Sequence, residues 1–144
     1  MPLTLILHPQ RVVVAQLPAS SSPFLDQKLM QFVTMSLPLG SITVTKEEVS
    51  LLLTETQECM HYITAQVPGS KLEPGWRALR VSGVLDFSLV GILSSLLSLL
   101  AAARVSVFTL STFNTDYILV KESDLDSAIT ALRGGGNEVV VMDH

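Results

Sequence analysis

Three histidines, one cysteine and thirteen acidic residues are the side chains with which this chain could do chemistry. His8, His61 and His144 lie far apart, and none has a partner at i+3 or i+4. A metal site built on a helix needs that spacing, so no metal motif is visible. Cys59 and His61 are two residues apart and diverge on a helix, with no third group to orient them as a nucleophile pair. Cys59 therefore reads as structural. Ser82-Gly83 and Gly69-Ser70 lack the flanking glycines of a hydrolase elbow. Gly134-Gly135-Gly136 follows a helical segment, whereas a phosphate-cradling loop must precede one. The expectation is a chain without catalytic residues, metal or cofactor.

The polar turns remain. Gly83 to Ser88 leads into a long helix and offers free backbone N–H groups with a partial positive field. Ser106, Val107 and Phe108 begin the next strand, whose edge presents both N–H and C=O groups. Thr112, Phe113, Asn114, Thr115 and Asp116 add hydroxyls, an amide, an aromatic wall and a carboxylate. An α-amino acid needs donors for its carboxylate and acceptors for its ammonium, and these turns supply both. Asp86 as a helix cap and Asp116 as a turn former account equally well for those two acids.

The elements that would hold these turns read as strand, helix, strand, strand, helix from Trp76 to Gly136, with a last apolar run at Val139-Val140-Val141. Asp86 is placed to cap the long helix, and Arg104 suits its carbonyl end. Val105 to Leu110 is a β-branched and aromatic strand, and Tyr117 to Val120 returns beside it. Ser123-Asp124-Leu125-Asp126 predicts a capping box, and Gly134 a left-handed helix stop. Within the long helix, Leu89, Ile92, Leu93, Leu96, Leu100 and Ala103 share one face. Ser88, Gly91, Ser95, Ser98 and Ala102 form the opposite one. A face so short of charge predicts a second packed surface, covered by the other half of the chain or by a second subunit.

The amino-terminal half repeats the plan less clearly. Val12-Val13-Val14 is a strand continuous with or paired to residues 3–7, and Ser22-Pro23 predicts the start of a helix carrying Leu25, Leu29, Phe32 and Val33. Residues 41–45 and 49–54 read as strands, 55–62 as a short helix and 63–67 as a short strand. Pro68-Gly69-Ser70 and Pro74-Gly75 bracket a linker. The fold class is α+β, with antiparallel sheets and helices on one face. It is either an internal duplication of two modules, residues 1–70 and 71–144, or one continuous domain.

Composition bounds the function further. A chain of 144 residues with 48% hydrophobic content has length for one ordinary core or two small ones. A net charge of −4 with nine scattered Lys and Arg argues against nucleic acid. A single cysteine fits a reducing compartment, and the amino terminus lacks a basic segment before its short apolar run, so the expected location is the cytoplasm. The 17 uncharged residues 87–103 approach a membrane span in length. Their serine strip favours a helix in water.

The segments SGVLDFSLVGIL, ARVSVFTLSTFNTDYILVKESDL and AITALR resemble the ACT domain, and in particular the tandem-ACT proteins of the Castor arginine-sensor type and short bacterial aspartate-kinase-like ACT proteins. The resemblance covers about residues 72 to 136. It implies two ferredoxin-like βαββαβ ACT modules in tandem and a non-enzymatic amino-acid sensor with its ligand at an ACT–ACT interface. The implied site takes Ser106, Val107 and Phe108 from one side. From the other come Asp86, Phe87, Ser88, Leu89 and Gly91, with Thr112, Phe113 and Asp116. It also implies a homodimer, arginine or another free amino acid as ligand, and a signalling protein that reads the ligand state in amino-acid-dependent (TORC1-type) growth control. The loop before Gly91 lacks the acids that would favour arginine. A ligand-free dimeric scaffold is the alternative.

Overall fold

A computed structural model describes residues 3–82 and 91–143, and for residues 22–24 the backbone alone. The chain divides into two compact units, one of Gln10–Trp76 and the other of Met1–Pro9 with Arg77–His144. This differs from a cut near residue 70, for a reason visible in two long strands. β1 (Thr4–Pro18) is one uninterrupted run of 15 residues, and β4 (Lys71–Val81) one of 11. Each contributes residues to both units. Pro74-Gly75 thus lies inside a strand and not in a linker. Gly75 makes this possible by adopting φ 85°, with its N–H donated to Glu55 Oε1 at 2.6 Å.

In the Gln10–Trp76 unit, β1 is followed by a 3-10 segment (Ala19–Phe24), α1 (Gln27–Thr34), β2 (Ser41–Val44), β3 (Glu48–Thr54), α2 (Gln57–Gln66) and β4. The strand order is β2-β3-β1-β4. β3 runs antiparallel to both neighbours, from Val12 opposite Thr54 to Pro18 opposite Glu48, and from Ser41 opposite Leu52 to Val44 opposite Val49. Alternation along the strands sends Val13, Ala15, Leu17, Val49, Leu51 and Leu53 to one face, where Leu29 and Val33 of α1 and Cys59 and Ile63 of α2 meet them. Each such side chain contributes about 1.5–3 kcal/mol when fully buried.

Two local expectations change here. Ser22-Pro23 lies in the 3-10 segment, and α1 instead starts after Asp26, whose Oδ1 accepts from the Leu29 N–H at 2.8 Å. Residues 63–66 are helical because Ile63, one turn after Cys59, continues the buried stripe of α2. Gly40 sits where any Cβ would fall on the Val33 carbonyl, so glycine is required there by space.

The second unit contains the early part of β1, the end of β4, α3 (Ile92–Ala102), β5 (Val107–Ser111), β6 (Asp116–Lys121), a 3-10 turn (Glu122–Asp124), α4 (Leu125–Gly134) and β7 (Glu138–Val141). Its strand order is β7-β1-β4-β6-β5. β7 lies parallel to β1, Thr4 opposite Glu138 through Leu7 opposite Val141. Asn137 fastens the junction, accepting the Leu3 N–H on Oδ1 at 3.0 Å. Leu96 and Leu100 of α3 and Ala128 and Leu132 of α4 cover one sheet face, against Leu5, Leu79, Ile118 and Val120.

The helix ends also depart from expectation. α3 starts at Ile92 with Gly91 as N-cap, and Asp86 lies outside the described residues. The capping box does not form: Asp124, the N-cap of α4, makes no side-chain cap bond. Gly136, with φ 89°, supplies the left-handed residue expected of Gly134. The N–H of Asn137 reaches the Leu132 carbonyl and that of Gly136 the Arg133 carbonyl, the two bonds of a Schellman stop. α3 closes by the same pair, Val105 to Leu100 and Arg104 to Ala101, with Arg104 at φ 60° in the glycine position.

Candidate ligand site

The β5–β6 hairpin carries most of the described candidate residues. Its turn is tied internally: the Thr112 N–H and hydroxyl both donate to the Thr115 carbonyl, at 2.8 and 3.1 Å. Thr115, a buried polar side chain, donates its own hydroxyl to the Val81 carbonyl at 2.7 Å. That bond holds the turn against the end of β4, where the chain leaves for α3. Beside it the Ser111 hydroxyl donates to Asp116 Oδ1 at 2.5 Å, a charge-assisted bond across the strand pair. Thr112 and Phe113 are exposed, and Asp116 is half-buried.

Ser106 and Val107 lie at the other end of the same strand. Val107 is opposite Val120, while Ser111 is opposite Asp116. At roughly 3.3 Å per residue the two ends of β5 are about 13 Å apart. Ser106 is exposed, and Val107 and Phe108 are half-buried. Among the described residues β5 ends the strand order, so it forms the edge of this unit.

The predicted residues thus fall into two sets. Thr112, Phe113 and Asp116 gather at the end of β4, and Ser106, Val107 and Phe108 at the start of β5. Asp86, Phe87, Ser88 and Leu89 lie outside the described residues. Gly91 has φ 83°, and a Cβ there would meet nothing within 4 Å. Among the described residues backbone conformation, and no close neighbour, accounts for this glycine. Ser95, Ser98 and Ala102 of the small face are likewise exposed, so the chain itself does not cover that face. Ser111 was not singled out from sequence, and Thr115 was read only as one hydroxyl of the turn and not as its anchor to β4. The Thr112/Thr115 spacing was the available signal, since a hydroxyl three residues back is suited to close a turn.

Cys59 is buried and its Sγ donates to the Thr54 and Thr56 carbonyls, while His61 is exposed. Among the described residues no three of His, Cys, Asp and Glu come together. No helix among them is long and apolar enough to cross a membrane.

The run β4-α3-β5-β6-α4-β7 is a βαββαβ unit with its two helices on one sheet face and the β5–β6 hairpin at its edge. Residues 71–134 match the ACT domain family. The chain is similar to the Homo sapiens "Cytosolic arginine sensor for mTORC1 subunit 1", 33% identical over 116 residues. That alignment covers 80% of this chain and 32% of the sensor, and the Pongo abelii protein of the same name matches equally. The chain therefore spans about a third of the length of these curated relatives.

Among solved structures it is similar to protein Atu0741 from Agobacterium tumefaciens, with TM-score 0.75, 24% identity and coverage of 100% of this chain and 96% of that one. It is also similar to the regulatory subunit of aspartate kinase from Thermus flavus, with TM-score 0.68, 12% identity and coverage of 94% and 99%. At these identities the structural likeness establishes the fold.

Proposed function

We propose that the protein is a non-enzymatic, amino-acid-binding regulatory protein whose ligand is held between ACT units supplied by two copies of the chain. The observation that carries this reading is the separation of the two residue sets along β5. The ammonium and carboxylate of an amino acid branch from one carbon, so one head group cannot engage both ends of a single hairpin. Two copies can bring the Ser106–Val107 edge of one to the Asp116 turn of the other. The edge then offers N–H groups to the carboxylate. Asp116 accepts from the ammonium or from a cationic side chain, with the Ser111 hydroxyl holding its other oxygen.

Similarity to a protein named as an arginine sensor supports an amino acid as ligand, and arginine as the first candidate. Binding changes the arrangement of the copies only if affinity differs between arrangements. A coupling of about 1–3 kcal/mol suffices for a switch. A protein partner in cytoplasmic growth signalling would read that arrangement.

Thermal melts with each free amino acid at millimolar concentration test the proposal, because a ligand at about 100 times its dissociation constant adds about 2.7 kcal/mol. A rise confined to one or a few amino acids, and lost in Asp116→Ala, supports it. A flat panel with a stable dimer supports a ligand-free scaffold instead.

A further inference from the structure

Met35 closes α1 as its C-cap and is 78% exposed. Helical spacing dictates that exposure. Leu29 and Val33 form the buried face of α1, and Met35 follows Val33 by two residues, a rotation of about 200°. The other described methionines, Met30, Met60 and Met142, are half-buried, and Met60 packs against the core of its unit.

The surrounding backbone keeps Met35 outside. Its N–H donates to the Gln31 carbonyl at 2.9 Å, and the next two residues are fastened to the end of β3. Thr54 donates its N–H to Ser36 Oγ at 2.9 Å and accepts the Leu37 N–H on its hydroxyl at 2.6 Å. The same hydroxyl donates to the Leu37 carbonyl at 2.8 Å. Just beyond, Leu39 is buried and Gly40 lies against the Val33 carbonyl. Met35 is therefore held in water between two fixed segments. Its thioether adds little to the core and keeps its sulfur lone pairs in solvent.

We infer that Met35 is a reversible oxidation site, modified by hydroperoxides while the chain stays folded and restored by a thiol-dependent sulfoxide reductase. The sulfur attacks one oxygen of the hydroperoxide, an S–O bond forms and the O–O bond breaks. Sulfur loses two electrons, and with hydrogen peroxide the departing oxygen takes up the proton and leaves as water. In the return step two thiols supply two electrons and become a disulfide, and the sulfoxide oxygen leaves as water. The product places a strong acceptor beside Leu37, itself 60% exposed, so an apolar surface becomes polar while the core is untouched. The site uses none of the β5–β6 residues and stands apart from the function proposed above.

Limited treatment of the folded full chain with hydrogen peroxide, followed by peptide mapping by mass spectrometry, tests this directly. Met35 should gain oxygen about tenfold faster than Met30, Met60 or Met142. In denaturant the four rates should converge, because exposure and not neighbouring sequence sets their order. The melting temperature of the chain oxidised at Met35 should lie within about 3 °C of the untreated one. Two sulfoxide reductases, one for each sulfur epimer, should return the folded chain to its original mass with dithiothreitol as the thiol. Met35→Leu should remove the fast phase and leave the slow ones. An equal rate at a second of these methionines, or a fast phase that persists in Met35→Leu, overturns the inference. A larger fall in melting temperature, or a sulfoxide restored only after denaturation, overturns it as well.

Discussion

Ser111 and Asp116 face each other at the end of the β5–β6 hairpin, the hydroxyl donating to the carboxylate at 2.5 Å. The serine fixes the direction of the acid without neutralising it. Asp116→Ala should therefore leave the fold intact and weaken ligand binding by about 1.5–3 kcal/mol, the range for a charge-assisted hydrogen bond. Calorimetric titration with the responding amino acid measures this. If the site forms between copies, an equal mixture of Asp116→Ala and Ser106→Trp chains should regain about a quarter of the sites after subunit exchange, one in each mixed dimer. No recovery on mixing places both residue sets in one copy.

Thr115 anchors the same turn from beneath. Replacing it with valine keeps the shape but removes the donor to the Val81 carbonyl, at a cost of about 1–3 kcal/mol. Chemical denaturation should report the loss, and ligand affinity should fall with it because the turn is no longer held at the end of β4.

Arg104 occupies a left-handed position that glycine fills at the end of α4. The strain of a side chain there is about 1–2 kcal/mol, partly offset by the greater chain entropy of glycine. Arg104→Gly should raise the melting temperature slightly. A fall would mean that the arginine makes a contact worth more than the strain.

Gly40→Ala should be the more damaging change. The new methyl would collide with the Val33 backbone carbonyl, which cannot rotate away. A loss of about 1–3 kcal/mol, the usual cost of overpacking, should appear as a lower denaturation midpoint.

Acid should weaken the protein in two steps. Burial first, and Arg80 second, hold His8 below its ordinary value of 6.5. The unfolded chain then takes up the proton before the folded one does, so stability declines as pH falls below about 6.5. Asp26 lies below its usual value mainly because the Tyr62 hydroxyl donates to it, with the Leu29 N–H second. Its contribution is complete above the ordinary aspartate value and is lost as pH falls through the lowered one. Denaturation midpoints followed from pH 8 down to well below the ordinary aspartate value measure both steps. His8→Gln should flatten the upper step, and Tyr62→Phe should raise the Asp26 pKa in a carboxyl NMR titration.

The strong periodic elements were legible in the sequence, and the boundaries that depend on distant partners were not. The stripe through Leu96 and Leu100 and the β-branched run from Val107 both specify their elements locally. Ile63 and Pro74-Gly75 were misread because their states depend on the Cys59 stripe and on a left-handed glycine within a strand. The Asp116 turn could be read from residue types alone. The distance between Asp116 and Val107 could not, since it follows from the register of the hairpin.

The two long strands bear on how this chain can be divided. A fragment starting at residue 71 would contain the whole matched ACT segment yet lack Leu5 and Leu7, and β7 would lose the strand that it pairs with. Such a fragment should expose an apolar seam and aggregate, although its sequence reads as a complete domain. Adding residues 3–9 as a separate peptide should rescue it, because it restores the partner of β7 and the Leu5 and Leu7 side chains of that core.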